Sequence, residues 1–447
     1  MPGPTILALE QDTKLPNAAD VVVVGGGIVG ACTALELAER GLKVVLCEKG
    51  QIGAEQSSRN WGWVRLTGRS PVEIPLMIES LRLWSDLDRR TGRSTGYKKC
   101  GIVFSELTER KLSTRLDWLK HLRDLPFQSQ VLSGSDLSRF FPTTKYKAAG
   151  AIFSPFDGRA EPQLAAPAVA QAARDRGASV ITQCAVREIE TAGGKISGVV
   201  TERGRVAAPT VVVAGGVWSN RICRQLGVDF PLLDVQSAAV YTAPLDGPDF
   251  TFGSSQFAFR RRADGGYTVG NYNSRADIVP NSFRYLKRFA ASALRPDLSL
   301  SFGRRFFREL KMNKWNPEEV SPFEQQRVLD PSLWFDQAKA LRDIAVDFPF
   351  LANAKIVQGW AGYIDVTPDS LPVIGPVGRI PGLFLASGFS GHGFGTAPAA
   401  GALAADLVMG RRPLVDPTHF RLGRFFKHSE SEFLEPGSAS PSLEYIQ

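Results

Sequence analysis

The sequence predicts an α/β protein built around a parallel sheet, and three stretches carry that prediction. Near the N-terminus, "VVVV" (21–24) is a continuous β-branched run, typical of a strand buried on both faces. A glycine turn, a helical pattern from about Ile28 to Arg40 and a second apolar strand, "KVVLCE", follow it. Two later stretches, "VVVAGGVWSN" (211–220) and "GLFLASGFSGHGFGTAPAAGALAADLVMG" (382–410), again pass from a buried strand into a glycine turn. We expect one sheet assembled from these distant segments.

The composition is that of an ordinary globular protein. The chain has 447 residues, of which 43% are hydrophobic and 22% charged, a length that suggests about two to three domains. The formal net charge of +8 admits a nucleic-acid, membrane-surface or anionic partner. The positive residues are scattered, however, and the densest run, "FRRRADGG", is predicted to be a solvated strand end before a turn. We therefore expect no nucleic-acid partner.

The cysteines are odd in number and widely spaced, at Cys32, Cys47, Cys100, Cys184 and Cys223. Without a CxxC pair they argue against a disulfide framework and a zinc site, so no metal is expected and a reducing, cytoplasmic compartment is predicted. No stretch approaches about 18 uninterrupted apolar residues, so no membrane span is expected. Residues 1–18 and 426–447 are predicted to be loose tails.

The first glycine turn has the spacing of a dinucleotide-binding site. Gly25, Gly27 and Gly30 form GxGxxG between the first strand and the helix that begins near Ile28. The first glycine permits the turn, the second lets a pyrophosphate approach the backbone, and the third lets helix and strand pack closely. Helix N–H groups then point at the phosphates. Glu48 ends the second strand, where a carboxylate can accept a ribose hydroxyl. This pattern alone does not distinguish NAD from FAD.

The order of motifs along the chain resembles one family. The stretches "VVVGGGIVG…CEK", "SSRNWGW", "VVVAGGVW", "TPDSLPVIG" and "GFSGHGFG" follow one another as in the D-amino-acid oxidase-like family of FAD-dependent amine and amino-acid oxidoreductases. The resemblance covers about residues 19–425. It implies an α/β fold with a Rossmann-like FAD-binding domain and a second α+β substrate domain built on a mixed sheet.

Domain boundaries follow from placing these motifs. The FAD-binding domain is expected to be discontinuous, at 19–95, 150–230 and 356–425, and the substrate domain to comprise 96–149 and 231–355. In the latter, "SQFAFRRRADGGYTVGNYN" predicts a hairpin that turns at residues 265–266. Ser70 to Glu73 predict a capping box with proline at the first helical position of "PVEIPLMIESLRLWSDLDRR".

The resemblance implies a set of cofactor contacts near the phosphates, the adenine and the flavin ring. These residues are Gly25, Gly27, Ile28, Gly30, Glu48, Lys49, Ser57, Ser58, Arg59, Asn60, Val186, Gly215, Trp218, Gly391, His392, Gly393, Phe394 and Gly395. The C-terminal helix would direct its positive end at the ring, which favours the anionic reduced flavin. The FAD is expected to be non-covalent, because Gly362 stands where relatives that tether flavin have a cysteine.

The implied reaction is dehydrogenation at a carbon bearing nitrogen, with hydride transfer to flavin N5 and hydrolysis of the imine by water. His392 is expected to hydrogen-bond the flavin, or else to be structural. Two of the family's carboxylate anchors are absent, and a third survives as Arg65, with Arg69 a weaker candidate. The predicted substrate is a larger secondary amine, an N-substituted amino acid or a polyamine-like cation, with Tyr363 or Asp365 near its nitrogen. A turn-capping role for Asp365 is the alternative.

Other functions stay open from sequence alone. An FAD-dependent hydroxylase or a hydroxy-acid dehydrogenase would share the fold, and the charge of +8 admits a nucleic-acid-acting flavoprotein. The expected substrate partner is a small amine or amino acid. Oxygen, a quinone or a partner protein are all candidate electron acceptors.

Overall fold

The computed structural model describes residues 3–426, apart from 11, 296, 315, 317 and 335. Its strands, in chain order, are β1 (Val21–Val24), β2 (Val44–Cys47), β3 (Trp63–Val64), β4 (Lys98–Lys99), β5 (Ile102–Glu106), β6 (Gln130–Ser133), β7 (Gly150–Ser154), β8 (Gly158–Arg159), β9 (Ser179–Ile181), β10 (Val186–Ala192), β11 (Lys195–Thr201), β12 (Gly204–Ala207), β13 (Thr210–Val213), β14 (Leu233–Thr242), β15 (Thr251–Gly253), β16 (Phe257–Arg261), β17 (Tyr267–Asn271), β18 (Ser274–Asp277), β19 (Leu298–Ser301), β20 (Ile356–Val366), β21 (Val373–Pro376) and β22 (Leu383–Ser387).

The α-helices of the described residues are α1 (Ile28–Glu39), α2 (Gln56–Arg59), α3 (Ile74–Thr91), α4 (Glu109–Trp118), α5 (Leu137–Phe140), α6 (Pro162–Asp175), α7 (Ser219–Gln225), α8 (Pro280–Arg284), α9 (Leu286–Ala293), α10 (Arg304–Met312), α11 (Pro322–Gln325), α12 (Gln337–Asp347) and α13 (Gly393–Val408). Short 3-10 turns join several of them, including Pro71–Glu73 and Gly216–Trp218.

The first sheet has six strands in the order β21-β22-β13-β1-β2-β9. It is parallel except for β21, which pairs antiparallel with β22. Helices α1, α3, α6 and α13 cover one face, and the three-stranded sheet β10-β11-β12 covers the other. Since both faces are covered, β1 and β2 are apolar throughout, and β13 is apolar after its first residue, Thr210.

The second sheet has ten mixed strands. Nine follow the order β19-β18-β14-β17-β16-β15-β5-β7-β6, and β20 adds to β14. The predicted hairpin is present, because β16 and β17 pair antiparallel from Phe257–Asn271 to Arg261–Tyr267. A cluster of edge-to-face aromatic rings around Phe252 and Phe348 fills the space behind this sheet.

Two strands that the predicted boundaries assigned to the FAD-binding domain belong to the second sheet. These are β7 and β20. Strand β20 pairs with β14 from Val366–Leu233 to Ile356–Thr242. The chain therefore crosses between the sheets only after Val366, and the stretch around Asp365 is the end of a long strand.

The predicted N-terminal tail differs from the structure as well. The N–H of Leu7 donates to the carbonyl of Gln163 (3.1 Å), and that of Asp12 to the carbonyl of Val180 (3.0 Å). Residues 3–10 and 12–18 therefore run along the first sheet and α6. Most of the predicted C-terminal tail, 427–447, lies outside the described residues.

The basic run at residues 260–262 was predicted to be solvated, which is wrong for its first member. Arg260 is 1% exposed and pairs with Glu161, just before α6, at 2.7 and 3.0 Å. Its Nε donates to the carbonyl of Trp61 (2.5 Å). A buried guanidinium needs a carboxylate partner. This pair therefore links the second sheet to the start of α6, which packs on the first sheet.

Candidate active site

One cavity of about 530 Å³ runs between the two sheets. It begins at the carboxyl ends of β1 and β2, passes α2 and β3, and reaches the N-terminus of α13. A crevice at the carboxyl ends of parallel strands is the usual ligand site of open α/β sheets.

The glycine turn leaves no room for side chains. A Cβ on Gly25 would lie 2.5 Å from the carbonyl oxygen of Ala214, and one on Gly30 would lie 2.0 Å from that of Gly25. Gly25 also has a φ of +110°. Gly25, Gly27, Ile28 and Gly215 line the cavity, whereas Gly30 does not, because it serves the packing of α1 on β1.

Glu48 lies at the end of β2 with both carboxylate oxygens engaged. One accepts from the N–H of Gly26 and the other from that of Gly50, each at 2.7 Å. Burial raises the pKa of Glu48, while Lys49 and the two N–H donors oppose the rise. The carboxylate thus borders the cavity beside the glycine turn, where the sequence placed it.

Aromatic side chains surround the cavity next to Glu48. Val186 and Trp218 line it as expected, and Phe323 joins them, with its ring centroid 5.5 Å from that of Trp218. The Lys49 ammonium lies 4.5 Å from the centroid of the Trp218 ring. It donates to Glu55 (2.7 Å) and to two backbone carbonyls, so it holds neighbouring chain segments together.

The side chains of the "SSRN" segment were expected to be phosphate donors, and they point in several directions. Ser57 accepts from the N–H of Ile28 at the start of α1 (2.9 Å), so its hydroxyl lies at the helix terminus. Ser58 is buried and does not line the cavity. Arg59 lines it, but its guanidinium pairs with Asp330 (2.9 Å) and the carbonyl of Ala361 (2.8 Å). Asn60 bonds within its own loop.

Helix α13 begins at Gly393, so its first N–H groups belong to the "GHGFG" stretch. Gly391, His392, Gly393 and Phe394 line the cavity. Gly395 does not, and its carbonyl accepts from Ser80 (2.7 Å) and Trp84 (2.9 Å). The helix terminus is thereby fixed against α3.

His392 is bonded to Glu73. Its Nδ1 lies 3.1 Å from both carboxylate oxygens of Glu73. Burial and the charge of Arg69 lower the pKa of His392 to about 4. Burial opposes ionisation of Glu73, yet the His392 contact and Arg69 bring its pKa below the ordinary value. The imidazole is therefore neutral, with Nδ1–H donating to the carboxylate. The predicted capping box does not form, because the Glu73 side chain turns to His392 and no side chain caps this turn.

Two arginines lie at this end of the cavity. Arg65 stacks near Trp63 and Phe104 and donates to the carbonyl of Thr67. Arg69 is 3% exposed; its Nε donates to the carbonyl of Arg65 (3.2 Å), and its Nη1 is buried without a hydrogen-bond partner among the described residues. Burial and the charge of Arg65 lower the pKa of Arg69 to about 9. A buried donor without a partner is costly, so Arg69 is suited to an anionic ligand.

Tyr363 and Asp365 both line the cavity from the end of β20. The Arg305 guanidinium lies over the Tyr363 ring, 4.4 Å from the ring centroid. Burial raises the pKa of Tyr363 to about 12. One oxygen of Asp365 accepts from the N–H of Gly388 (2.7 Å), and burial raises the pKa of this carboxyl to about 6. The geometry at Asp365 is that of a turn cap joining β20 to the loop after β22.

A family model described as FAD-dependent oxidoreductase, abbreviated DAO, matches residues 20–407 of the chain. This chain belongs to the DAO family. The Rossmann-like fold, the dependence of the family on FAD and the nature of the protein as an oxidoreductase follow from that membership.

The L-amino acid deaminase of Proteus myxofaciens, solved with anthranilate, is similar to this DAO chain with 34% identity and a TM-score of 0.90, covering 95% of this chain and 97% of that one. Glycine oxidase of Pseudomonas aeruginosa is 27% identical over 415 residues, covering 90% of this chain and 97% of that protein. Human mitochondrial sarcosine dehydrogenase is 26% identical over 439 residues; the match takes 95% of this chain but only 43% of that protein.

The residues of the cavity fit the FAD of the DAO family. An aromatic wall, a carboxylate at the end of β2, a glycine turn open to phosphate and a helix N-terminus all line this single cavity. These four features suit the adenine, the ribose, the pyrophosphate and the flavin ring of FAD better than they suit a shorter ligand. No helix in the described part of the chain combines the length and the apolar character needed to cross a bilayer.

Several lining residues were not predicted from sequence. Asn271 is the last residue of β17, Tyr272 follows it, and Phe323 comes from α11. Trp61 and Trp63 also line the cavity; from sequence alone, a place beside the flavin ring and a place in the core were equally expected for them. Two buried atoms of this set, Asn271 Oδ1 and Trp63 Nε1, lack hydrogen-bond partners within the described chain. The position of Asn271 at the end of a predicted hairpin strand was the one available indication.

Proposed function

We propose that this chain oxidises the C–N bond of an L-α-amino acid with a bulky apolar side chain, using FAD as hydride acceptor. The observation that carries the proposal is Arg69, a buried guanidinium whose Nη1 has no partner among the described residues, close to the start of α13. A substrate carboxylate would supply that partner through a charge-assisted hydrogen bond.

The charges at this end of the cavity support an amino acid over a polyamine-like cation. Arg65 and Arg69 place two guanidinium groups there. The Asp365 carboxylate, the expected partner of a cationic nitrogen, is occupied by the N–H of Gly388. We therefore propose that Asp365 positions the loop before α13 and that the Asn271 amide meets the substrate amine.

The aromatic side chains support a bulky substrate. Trp61 lies edge-on to Trp63 and Tyr272, at centroid distances of 5.4 and 5.0 Å, and Phe394 borders the same space. Anthranilate, the ligand of the similar L-amino acid deaminase, combines a carboxylate, an amine and an aromatic ring. A wall of rings beside a guanidinium suits that combination.

The chain's own contribution is to bind, orient and desolvate. Bound FAD would supply the hydride acceptor for the substrate C–H, and water would hydrolyse the resulting imine. Arg69 and Arg65 would hold the substrate carboxylate. The rings of Trp61, Trp63 and Tyr272 would exclude water from the reacting atoms. The Glu73–His392 pair would hold a neutral imidazole at the start of α13.

We also propose that the FAD is bound without a covalent link and that the protein works in a reducing, cytoplasmic compartment. Gly362 replaces the tethering cysteine, and a Cβ there would already lie 3.0 Å from Arg59 Cβ. Cys32, Cys47, Cys184 and Cys223 are buried free thiols, which supports a reducing environment.

Anaerobic flavin reduction tests the substrate. The holoprotein is mixed with L-phenylalanine, D-phenylalanine, N-methyl-L-phenylalanine and phenethylamine, and bleaching of the flavin absorbance is followed. We expect the L-amino acid to bleach the flavin fastest and phenethylamine, which lacks only the carboxylate, to fail. Equal rates with phenethylamine would overturn the carboxylate proposal, and faster reduction by the D- or N-methyl compound would change the substrate class.

A further inference from the structure

Residues 321–330, between α10 and α12, lie against the part of the cavity that borders Glu48. This segment, which we call the clasp, begins with α11, where the Ser321 side chain and the Glu324 side chain each bond the other's backbone N–H (3.3 and 2.7 Å). These reciprocal bonds make the first turn of the clasp locally stable.

The clasp reaches the cavity through one residue. Phe323 is 3% exposed, lines the cavity and meets the Trp218 ring edge-on. Val186 lies in the same stretch of the lining. Phe323 and Trp218 thus form an aromatic wall beside Glu48, and the Nε1 of Trp218 is buried without a hydrogen-bond partner in the described part of the chain. A purine ring offers both a π face and ring-nitrogen acceptors to such a wall.

Beyond Phe323, the clasp is tied to β2 and the loop after it. Lys49 donates to the carbonyls of Gln326 (2.7 Å) and Arg327 (2.8 Å). Arg327 returns a bond to the carbonyl of Lys49 (2.8 Å) and pairs with Glu202 (2.7 Å). These reciprocal contacts close the clasp over the residue next to Glu48.

Two further contacts extend the closure toward α2. The N–H of Leu329 donates to Glu55 (3.0 Å), and Asp330 pairs with the buried Arg59 at 2.9 Å. The clasp therefore spans from the aromatic wall to the helix that faces the start of α1. It is held mainly by polar bonds, which open at lower cost than a packed apolar interface.

We propose that the clasp retains FAD by closing over its adenosine end, with Phe323 and Trp218 enclosing the adenine, and that it must open for the cofactor to leave. The proposal rests on FAD occupying the cavity and is independent of the choice of substrate. It makes Arg327 and Asp330 determinants of the FAD release rate, although neither lines the cavity.

FAD release from the holoprotein tests the clasp without any substrate. Purified holoprotein is diluted into an excess of the apoprotein of an FAD-specific flavoenzyme, which traps released FAD, and the flavin fluorescence is followed over time. We expect Arg327→Gln and Asp330→Asn each to accelerate release about fivefold, the effect of losing one partly buried ion pair. Because the closure includes ion pairs, added salt should accelerate release in the wild type more than in Arg327→Gln.

Arg205→Gln is the matched control, because Arg205 pairs with Glu190 at 2.6 Å on the neighbouring three-stranded sheet and is not a cavity residue. It should release FAD at the wild-type rate. Wild-type release rates in both clasp variants would overturn the proposal, as would equal acceleration in the control. Phe323→Leu should weaken binding of FAD but not of FMN, which lacks the adenosine; an equal loss for both would place Phe323 elsewhere than at the adenine.

Discussion

At the scale of single residues, Arg69 and Arg65 are two arginines with different roles. Arg65 already donates to its own loop at Thr67, whereas the Nη1 of Arg69 is without a partner in the described chain. The proposed function therefore favours Arg69 over Arg65, the residue that the sequence had favoured. The difference between them arises from the fold of the loop, which the order of residues does not display.

Replacing Arg69 should therefore cost more catalytic efficiency than replacing Arg65. Arg69→Met removes the proposed carboxylate partner, and kcat/KM for an amino acid should fall at least about thirtyfold. Arg65→Met should cost less, and the exposed Arg110→Met should change nothing. Stopped-flow flavin reduction measures all three; an effect of Arg65→Met larger than that of Arg69→Met would contradict the assignment.

Glu48 should be a cofactor residue. Glu48→Ala removes a carboxylate that borders the cavity and accepts from two N–H groups, so FAD retention after extended dialysis should fall while the apoprotein still folds. Glu39→Ala is the control, because Glu39 is the last residue of α1 and does not line the cavity. A variant that keeps stoichiometric FAD would refute the role of Glu48.

His392 should make the free energy of unfolding depend on pH in the acidic range. Its pKa is about 4 in the fold, below the ordinary 6.5 of the unfolded chain, because burial and Arg69 disfavour the imidazolium. The unfolded state thus gains protons first, and stability is lost as pH falls from about 6.5 to 4. We expect the Tm of wild-type apoprotein to fall more over this window than that of His392→Gln. A constant difference between the two proteins from pH 7 to 4 would contradict this.

At the scale of elements, the strands and helices next to glycine turns were predictable. Strands β1, β2, β13 and β22 are short apolar runs, and their burial on both faces leaves a continuous signature in sequence. The directions of side chains were not predictable, since Arg260, Glu73 and Arg59 each depend on a partner from a distant segment. The same reason hid Asn271, although it ends a predicted hairpin strand, and Phe323, whose short helix shows no motif.

The Arg260–Glu161 pair should be a major support between the two sheets. Arg260→Met leaves the Glu161 carboxylate buried without its cation, which should cost about 3–5 kcal/mol of unfolding free energy. Arg262→Met, one residue after the same strand, breaks a pair with the exposed Asp264 and should cost less than about 1 kcal/mol. Urea unfolding compares the two. Equal losses would show that burial of the Glu161 pair is not the decisive factor.

At the scale of the whole molecule, the cavity lies between the two sheets. We expect the FAD that it binds to carry no covalent link to the protein. Acid precipitation should release all of the yellow colour into the supernatant, because Gly362 replaces the tethering cysteine and His392 bonds Glu73 through Nδ1. Absorbance spectra of supernatant and pellet measure the outcome. Flavin that stays in the pellet would show a covalent link.

The strand order of the first sheet also sets a timetable for synthesis. Strand β1 needs β13, about 190 residues later, and β13 needs β22, which ends at Ser387. At about 5–20 residues per second, a ribosome takes on the order of half a minute to a minute between the first strand and the last. Until β13 has been made, the glycine turn has no Ala214 carbonyl beside it, and until α13 has been made, the cavity is incomplete. The chain must therefore be synthesised through α13 before it can take up its flavin.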